Sequence, residues 1–308
     1  MSTEPLIVQG AEKRYGDVRA LAGASFDVRK GELLGLLGPN GAGKTTIIKA
    51  IAGRLKLDAG TIQLFGRTMS REDPRPEIGV VPQELAIYAL LSARENLEVF
   101  GRLYGVTGAD LADRVTWALE WADLKDRAGE PTKRFSGGMK RRLNIACSLL
   151  HRPALVLLDE PTVGVDPQSR ERIYEMLATL QASGVSVVLT THHLEEAEQR
   201  CERIVIIDHG KIVAAGTLGE LLRSTLGGAR RLSISLASPL PAGAAIGPPF
   251  AIDASRRNVI ADVHDVGREV PAALAQLSLA GGEIADVDLA GATLRDVFIK
   301  LTGRELRE

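Results

Sequence analysis

Residues Gly38-Pro39-Asn40-Gly41-Ala42-Gly43-Lys44-Thr45 constrain this chain more than any other feature. They fit the pattern of a glycine, four variable residues, then glycine-lysine-threonine. They stand between an apolar run, Leu33 to Leu37, and a helical pattern, Thr45 to Leu55. Glycines let successive backbone N–H groups turn inward and approach phosphate oxygens closely. The N-terminus of the following helix adds a favourable dipole. In such a loop Lys44 holds the β- and γ-phosphates, and the Thr45 hydroxyl coordinates Mg²⁺.

A loop of this kind sits on a parallel sheet, and the sequence supplies one. Leu33 to Leu37, Ile78 to Val81, Leu155 to Leu158, Val185 to Thr190 and Ile204 to Ile207 each read as a buried strand. Helical patterns lie between them, for example Gln168 to Gln181. Leu6 to Lys30 and Thr61 to Phe65 alternate more and suit a small antiparallel sheet. Ser92 to Leu150 has no obvious strand and reads as two or three helices punctuated by Gly105, Gly108, Gly129 and Pro131. The predicted fold is α/β: a P-loop ATPase core with a mainly parallel sheet, an antiparallel β subdomain and a helical subdomain over about 84–154.

Length fits roughly two domains, since 308 residues is about twice the usual domain size. The composition shifts after about residue 225. We therefore expect one domain over 1–225 and a small C-terminal α+β appendage over 226–308. Ala237 to Ala251, with Pro239, Pro241, Pro248 and Pro249, reads as a loop or linker. Beyond it Val259 to Val263 is strand-like, Val270 to Leu279 helical, Ile284 to Leu289 strand-like and Thr293 to Leu301 helical.

Charge excludes one class of function. Lys plus Arg is 38 against 39 Asp plus Glu, a formal net charge of -1. Bulk electrostatic binding of nucleic acid or an acidic membrane surface is not expected. Cys147 and Cys201 are the only cysteines and form no C-x-x-C pair, so reduced, partly buried thiols are expected. The N-terminus lacks a signal peptide's basic and apolar regions. No run approaches the roughly 18 apolar residues that cross a bilayer. A soluble, cytoplasmic chain is expected, and any membrane spans must come from another chain.

Two further motifs carry chemistry. Leu155-Val156-Leu157-Leu158-Asp159-Glu160 is an apolar run ending in two acids. Asp159, at the carboxyl end of a buried strand, is suited to complete a Mg²⁺ site through water. Glu160, one residue on, is suited to polarise an attacking water as general base. Phe135-Ser136-Gly137-Gly138-Met139-Lys140 precedes an amphipathic helix. Ser136 and the two glycines offer a hydroxyl and free N–H groups, a second anion site, although in isolation Ser136 reads as an ordinary N-cap.

The order of P-loop, Gln83, Ser136-Gly137-Gly138, Asp159-Glu160, Asp166 and His192 resembles the ATP-binding subunit of ABC transporters, over about residues 5 to 225. The resemblance implies ATP and Mg²⁺ as cofactors, with Gly38 to Thr46 holding the nucleotide, Thr46 included. It implies that Gln83, after Val80-Val81-Pro82, bridges the Mg²⁺ site to the helical subdomain. Tyr15 resembles the aromatic residue that stacks on adenine; a half-buried strand tyrosine is its bland alternative. Asp166 resembles the loop crossing a dimer interface and is equally placed to cap the helix starting near Pro167. His192, after Leu189-Thr190-Thr191, resembles the switch histidine at the γ-phosphate. Period-two alternation points His193 the other way, to the surface.

The family's common signature is Leu-Ser-Gly-Gly-Gln; here Phe135 replaces its Leu and Met139 its Gln, so the glutamine amide is lost. That variant, Lys140-Arg141-Arg142-Leu143, Gly164-Val165-Asp166-Pro167 and the tail Leu294-Arg295-Asp296-Val297-Phe298 with Leu301-Thr302-Gly303-Arg304 resemble the drug-resistance, daunorubicin-type export subfamily. The implied assembly is two copies head to tail, each ATP between the P-loop of one and Ser136-Gly137-Gly138 of the other. A separate membrane permease holds the pair at the cytoplasmic face of the cell membrane and exports a small molecule, drug or lipid-like compound. No nucleic-acid partner is expected. The rival readings are a non-transport ABC ATPase acting on ribosomes or DNA, disfavoured by one cassette, near-neutral charge and no sustained heptads, and a P-loop kinase, where Ser-Gly-Gly before a helix is not expected.

Overall fold

The computed structural model describes residues 4–303 apart from 229, 242 and 245–249. The chain divides into two compact units, one running to Thr217 and one starting at Leu218.

The first unit is built on a six-stranded sheet of β3 (Leu33–Leu37), β6 (Ile78–Val81), β7 (Leu155–Asp159), β8 (Ser186–Thr191), β9 (Arg203–Asp208) and β10 (Lys211–Gly216), ordered β10-β9-β3-β8-β7-β6. Five of these strands are parallel, and β10 closes one edge antiparallel to β9. Every residue of β3, β7 and β8 is buried. Strands covered on both faces cannot alternate, which is why they read as continuous apolar runs. A second, antiparallel sheet of β1 (Leu6–Tyr15), β2 (Val18–Val28), β4 (Ala59–Leu64) and β5 (Arg67–Thr68), ordered β2-β1-β4-β5, shares a core with α1 (Lys44–Ile51). α1 is shorter than its apolar pattern: the chain turns out of it at Gly53, whose φ of 73° ends the helix before Leu55.

Three helices follow β6: α2 (Ala93–Leu103), α3 (Gly108–Trp121) and α4 (Gly137–Cys147), with two short 3₁₀ turns. They enclose their own core of Leu97, Leu111, Val115, Leu119, Phe135 and Leu143. α2 starts at a capping box in which Ser92 and Glu95 bond each other's backbone N–H. α5 (Pro167–Ala182) and α6 (Leu194–Arg200) complete the unit.

The second unit begins with α7 (Leu218–Leu226), which packs on α9 (Leu294–Thr302). That packing assigns α7 to the second unit, so the division falls earlier than the expected 225/226. Four antiparallel strands, β11 (Arg230–Leu236), β12 (Ala251–Ile252), β13 (Asn258–Val263) and β14 (Ile284–Gly291), run in the order β12-β13-β11-β14, with α8 (Val266–Leu279) against β13 and β14. β11 was not foreseen, although Leu232, Ile234 and Leu236 are buried and alternate with serines. α8 starts four residues before the expected Val270, because the Asp265 carboxylate accepts the Arg268 N–H as N-cap; Pro271 lies inside the helix. The proline-rich stretch is a loop inside this unit: Leu240 is buried in its core, and Arg256 binds the carbonyls of Leu240, Pro241 and Ala244. Pro248, Pro249 and Arg304 lie outside the described residues.

Candidate functional site

Parallel pairing puts the ends of β3, β8 and β7 side by side: Leu37 pairs with Thr191, and Asp159 with Thr190. The loops after these three strands, and the one after β6, therefore leave the sheet on one side, where open α/β sheets hold their ligands. Gly38 to Gly43 is the loop after β3. Gly43 has φ 110°, and a Cβ there would lie 2.6 Å from the Ala20 carbonyl oxygen, so only glycine fits. Gly43 is also the N-cap of α1, and no side chain caps that helix, which suits its first turn to an anion.

Polar side chains, Lys44 and Thr190 among them buried, converge on Asp159 and Glu160. The Asp159 carboxylate accepts the hydroxyl of Thr190 at 2.9 Å and that of Thr45 at 3.3 Å. The Thr190 hydroxyl accepts the Glu160 N–H at 2.9 Å. Glu160 itself has φ 48°, a conformation that costs a non-glycine residue about 1–3 kcal/mol and clusters at functional sites. Its carboxylate lies 3.1 Å from Lys44 Nζ and 3.1 Å from His192 Nδ1, and it accepts the Gln83 amide N–H at 3.1 Å. Lys44 also donates to the carbonyls of Gly38 and Pro39 at 2.7 and 3.2 Å. Burial pushes the Glu160 carboxyl up, but the His192 ring and the Lys44 ammonium outweigh it, and the group is held below its ordinary value. A buried carboxylate is tolerated because it is paired and hydrogen-bonded at both oxygens.

Gln83 is held from behind. Arg141 of α4 donates to its carbonyl at 2.8 Å and to that of Pro82 at 3.2 Å, and the Asn144 side chain accepts the Ala86 N–H. The helical subdomain thus grips the backbone of the Gln83 loop. His193 differs from the expectation. β8 stops at Thr191, so period-two alternation does not reach it. It is the N-cap residue of α6, half-buried, with its ring 4.2 Å from that of His192.

Ser136, Gly137, Gly138 and Asp166 have local partners. Ser136 caps α4 by accepting the Met139 N–H at 3.2 Å. Asp166 caps α5 by accepting the Ser169 N–H, which holds its carboxyl below the ordinary value. Ser136 and Gly137 are exposed, while Gly138 is buried where a Cβ would lie 2.0 Å from the Ser169 hydroxyl. Phe135 fills the helical core and Met139 packs against it, so both departures from the common signature add apolar contact. Tyr15 is 49% exposed, at the hairpin turn joining β1 to β2, with Lys13 Nζ 5.9 Å from its ring centre. It is the last residue of β1, so both the adenine-stacking reading and the strand-tyrosine reading fit its place.

Mg²⁺ takes few protein ligands and keeps waters and phosphate oxygens. The Thr45 hydroxyl beside the Asp159 carboxylate fits that demand, and no cluster of three His, Cys, Asp or Glu that could hold a metal occurs among the described residues. The Gln83 amide nitrogen is turned to Glu160. Thr190, Arg141 and Asn144 were not foreseen; the only signal was a polar Thr190-Thr191 pair ending an apolar run. Among the described residues no helix is long and apolar enough to cross a membrane.

Residues 21–163 match the ABC transporter family profile. Over 311 aligned residues the chain is 39% identical to the daunorubicin resistance ATP-binding protein DrrA3 of Streptomyces coeruleorubidus, covering 100% of this chain and 98% of that one. It is also 39% identical to the Nod factor export ATP-binding protein I of Ralstonia nicotianae, covering 100% and 96%. A dimeric ATP-binding cassette in a post-hydrolysis state with ADP and Pi superposes with a TM-score of 0.62 at 26% identity, covering 69% of this chain and 98% of that one.

Proposed function

Since the chain belongs to the ABC transporter ATP-binding family, as the ATP-hydrolysing subunit of a transporter, we propose a division of labour among the residues of its site. The observation that carries it is the convergence of Lys44, His192 and Gln83 on the Glu160 carboxylate, one residue from Asp159 and Thr45.

The N–H groups of Gly38 to Thr46 cradle the triphosphate and Tyr15 stacks on the adenine. Lys44 exchanges its contact with Glu160 for the β- and γ-phosphates, which leaves the carboxylate free to take a proton from the attacking water. Glu160 stays ionised for that task because His192 and Lys44 hold it below its ordinary value. His192 contacts the γ-phosphate, and Gln83 reports its presence to the helical subdomain through the loop that Arg141 grips. Thr45 and Asp159, the latter through water, with Gln83, are the residues to hold Mg²⁺, which supplies charge neutralisation at the phosphates.

Cassettes of this family work as dimers with membrane permeases. For this chain we infer two copies head to tail, with Ser136, Gly137, Gly138 and Asp166 of one facing the ATP held by the P-loop of the other. The pair docks on a separate permease at the cytoplasmic face of the cell membrane. The daunorubicin resistance and Nod factor export relatives support outward transport of a small molecule, drug or lipid-like compound.

Glu160→Gln tests the central assignment. The amide cannot accept the proton, so hydrolysis should fall about 10²–10⁴-fold while ATP still binds. Gel filtration with Mg-ATP should then show a dimer that ADP does not support. Hydrolysis at the wild-type rate would remove Glu160 from the mechanism.

A further inference from the structure

Glu196, in the first turn of α6, makes no contact with Lys44 or Asp159, yet it is buried, with only 6% of its surface exposed. One oxygen of its carboxylate accepts two hydroxyls, Thr191 at 2.8 Å and Thr162 at 3.1 Å. Thr191 stands directly before His192, and its hydroxyl also accepts the His193 N–H at 3.0 Å, so it pins the turn that presents His192. Thr162 lies two residues after Glu160, in the loop where Val165 donates to the Thr162 carbonyl. The ring closes through the 3.1 Å contact of His192 with Glu160. The circuit Glu160, His192, Thr191, Glu196, Thr162 thus ties two loops from neighbouring strands through one buried carboxylate.

We infer that Glu196 is a positioning residue for hydrolysis: it clamps the loop carrying Glu160 to the turn carrying His192. The inference rests on the roles proposed for those two residues. Burial of a carboxylate costs several kcal/mol unless its oxygens are bonded, so a glutamate without a task here would be disfavoured. Its surroundings show that the site is not optimised for stability alone. The second oxygen meets the Arg170 guanidinium only at 3.7 Å, with the buried Tyr174 hydroxyl beside it. Burial, then the charge of Glu196, pushes the Tyr174 phenol upward. The two hydroxyls that its other oxygen accepts belong to the loops carrying Glu160 and His192.

The test uses the full-length chain, with steady-state hydrolysis and equilibrium binding of a fluorescent ATP analogue. Glu196→Ala releases both loops while leaving the P-loop, with Lys44 and Thr45, and Asp159 untouched. Its kcat should fall about 10–100-fold, the loss expected of a misplacement near 1 Å, with KM and analogue affinity within about two-fold of wild type. Glu196→Gln keeps an oxygen that accepts both hydroxyls, so kcat should recover to within about three-fold of wild type. Because the residue acts through Glu160, adding Glu196→Ala to Glu160→Gln should lower the residual rate no further. Thr162→Val and Thr191→Val, each removing one hydroxyl at nearly constant volume, should each lower kcat at unchanged affinity. If Glu196→Ala does not fold, these two decide the matter: wild-type kcat in both overturns the clamp. Wild-type kcat in a folded Glu196→Ala chain, or an equal loss of affinity, overturns the inference alone. A Glu160→Gln chain that turns over normally overturns it together with the reading beneath it.

Discussion

The two units of this molecule handle polarity in opposite ways. The unit ending at Thr217 buries Lys44, Asp159, Glu160, Thr190, Thr191, Glu196, Arg141 and Arg203 in its interior. In the second unit, among the described residues, every buried side chain is apolar: Leu232, Ile234, Leu236, Val259, Val263, Leu277, Val297 and Phe298 stand for the rest. Buried polar groups are costly and persist where they are bonded to one another or used. The first unit therefore pays in its core for a site, and the second packs an amphipathic sheet under helices around an apolar core. Its charged surface pairs, such as Arg231 with Asp296 at 3.1 Å, are partly exposed and contribute little.

That contrast is broken most easily at Lys44. Lys44→Ala removes the one cation that the P-loop offers to the phosphates. Affinity for ATP, by equilibrium fluorescence, should drop about 10–100-fold, as for loss of a charge-assisted hydrogen bond. Affinity unchanged within error would contradict the site. The second test probes the exposed side of the same unit. Ser136→Arg should leave ATP binding by one copy intact and abolish hydrolysis, because the side chain fills the space that the partner's γ-phosphate needs. Hydrolysis at the wild-type rate would contradict the head-to-tail arrangement.

A third test separates the units chemically. All Trp, Tyr and Cys residues lie before Leu218. Burial and the charge of Glu196 push the Cys201 thiol up to about 12, and burial alone pushes Cys147 up. A thiol at about 12 is roughly 10⁻⁴ thiolate at pH 8, so neither cysteine should react with a disulfide reagent in the folded chain. Labelling in a denaturant series should follow loss of tryptophan fluorescence, both reporting the first unit alone. Rapid labelling without denaturant would show that Cys201 is accessible.

Much of this was legible in the sequence, for reasons that differ by element. β3, β7 and β8 were readable because strands buried on both faces are apolar throughout, and the P-loop because its glycines and lysine are demanded by backbone geometry. The order of Gln83, Ser136, Glu160 and His192 was readable as a resemblance. What was not readable is how these residues meet. That Lys44, Gln83 and His192 share one carboxylate depends on strand order β3-β8-β7-β6, which no local pattern encodes. Thr190, Arg141 and Glu196 were missed because a hydroxyl ending a strand, or a charge on a helix, looks like an ordinary solvated residue until its burial is known. His193 was misjudged because alternation was carried past the end of β8. β11 was missed although its alternation is regular, because a proline-rich loop follows it.

The smallest expected effect is the most direct test, because it asks whether the first unit is chemically complete. A chain ending at Thr217 retains Tyr15, Gly38 to Thr46, Gln83, Asp159, Glu160 and His192, and so every group assigned to the nucleotide. Its folding can be followed by circular dichroism and by Trp117 and Trp121, and its affinity for ATP by equilibrium fluorescence. The account predicts an affinity within about two-fold of the full chain, the spread expected for a change that touches none of the groups assigned to the nucleotide. A truncated chain that is folded by both criteria and no longer binds ATP would contradict it, and would make the second unit part of the nucleotide site.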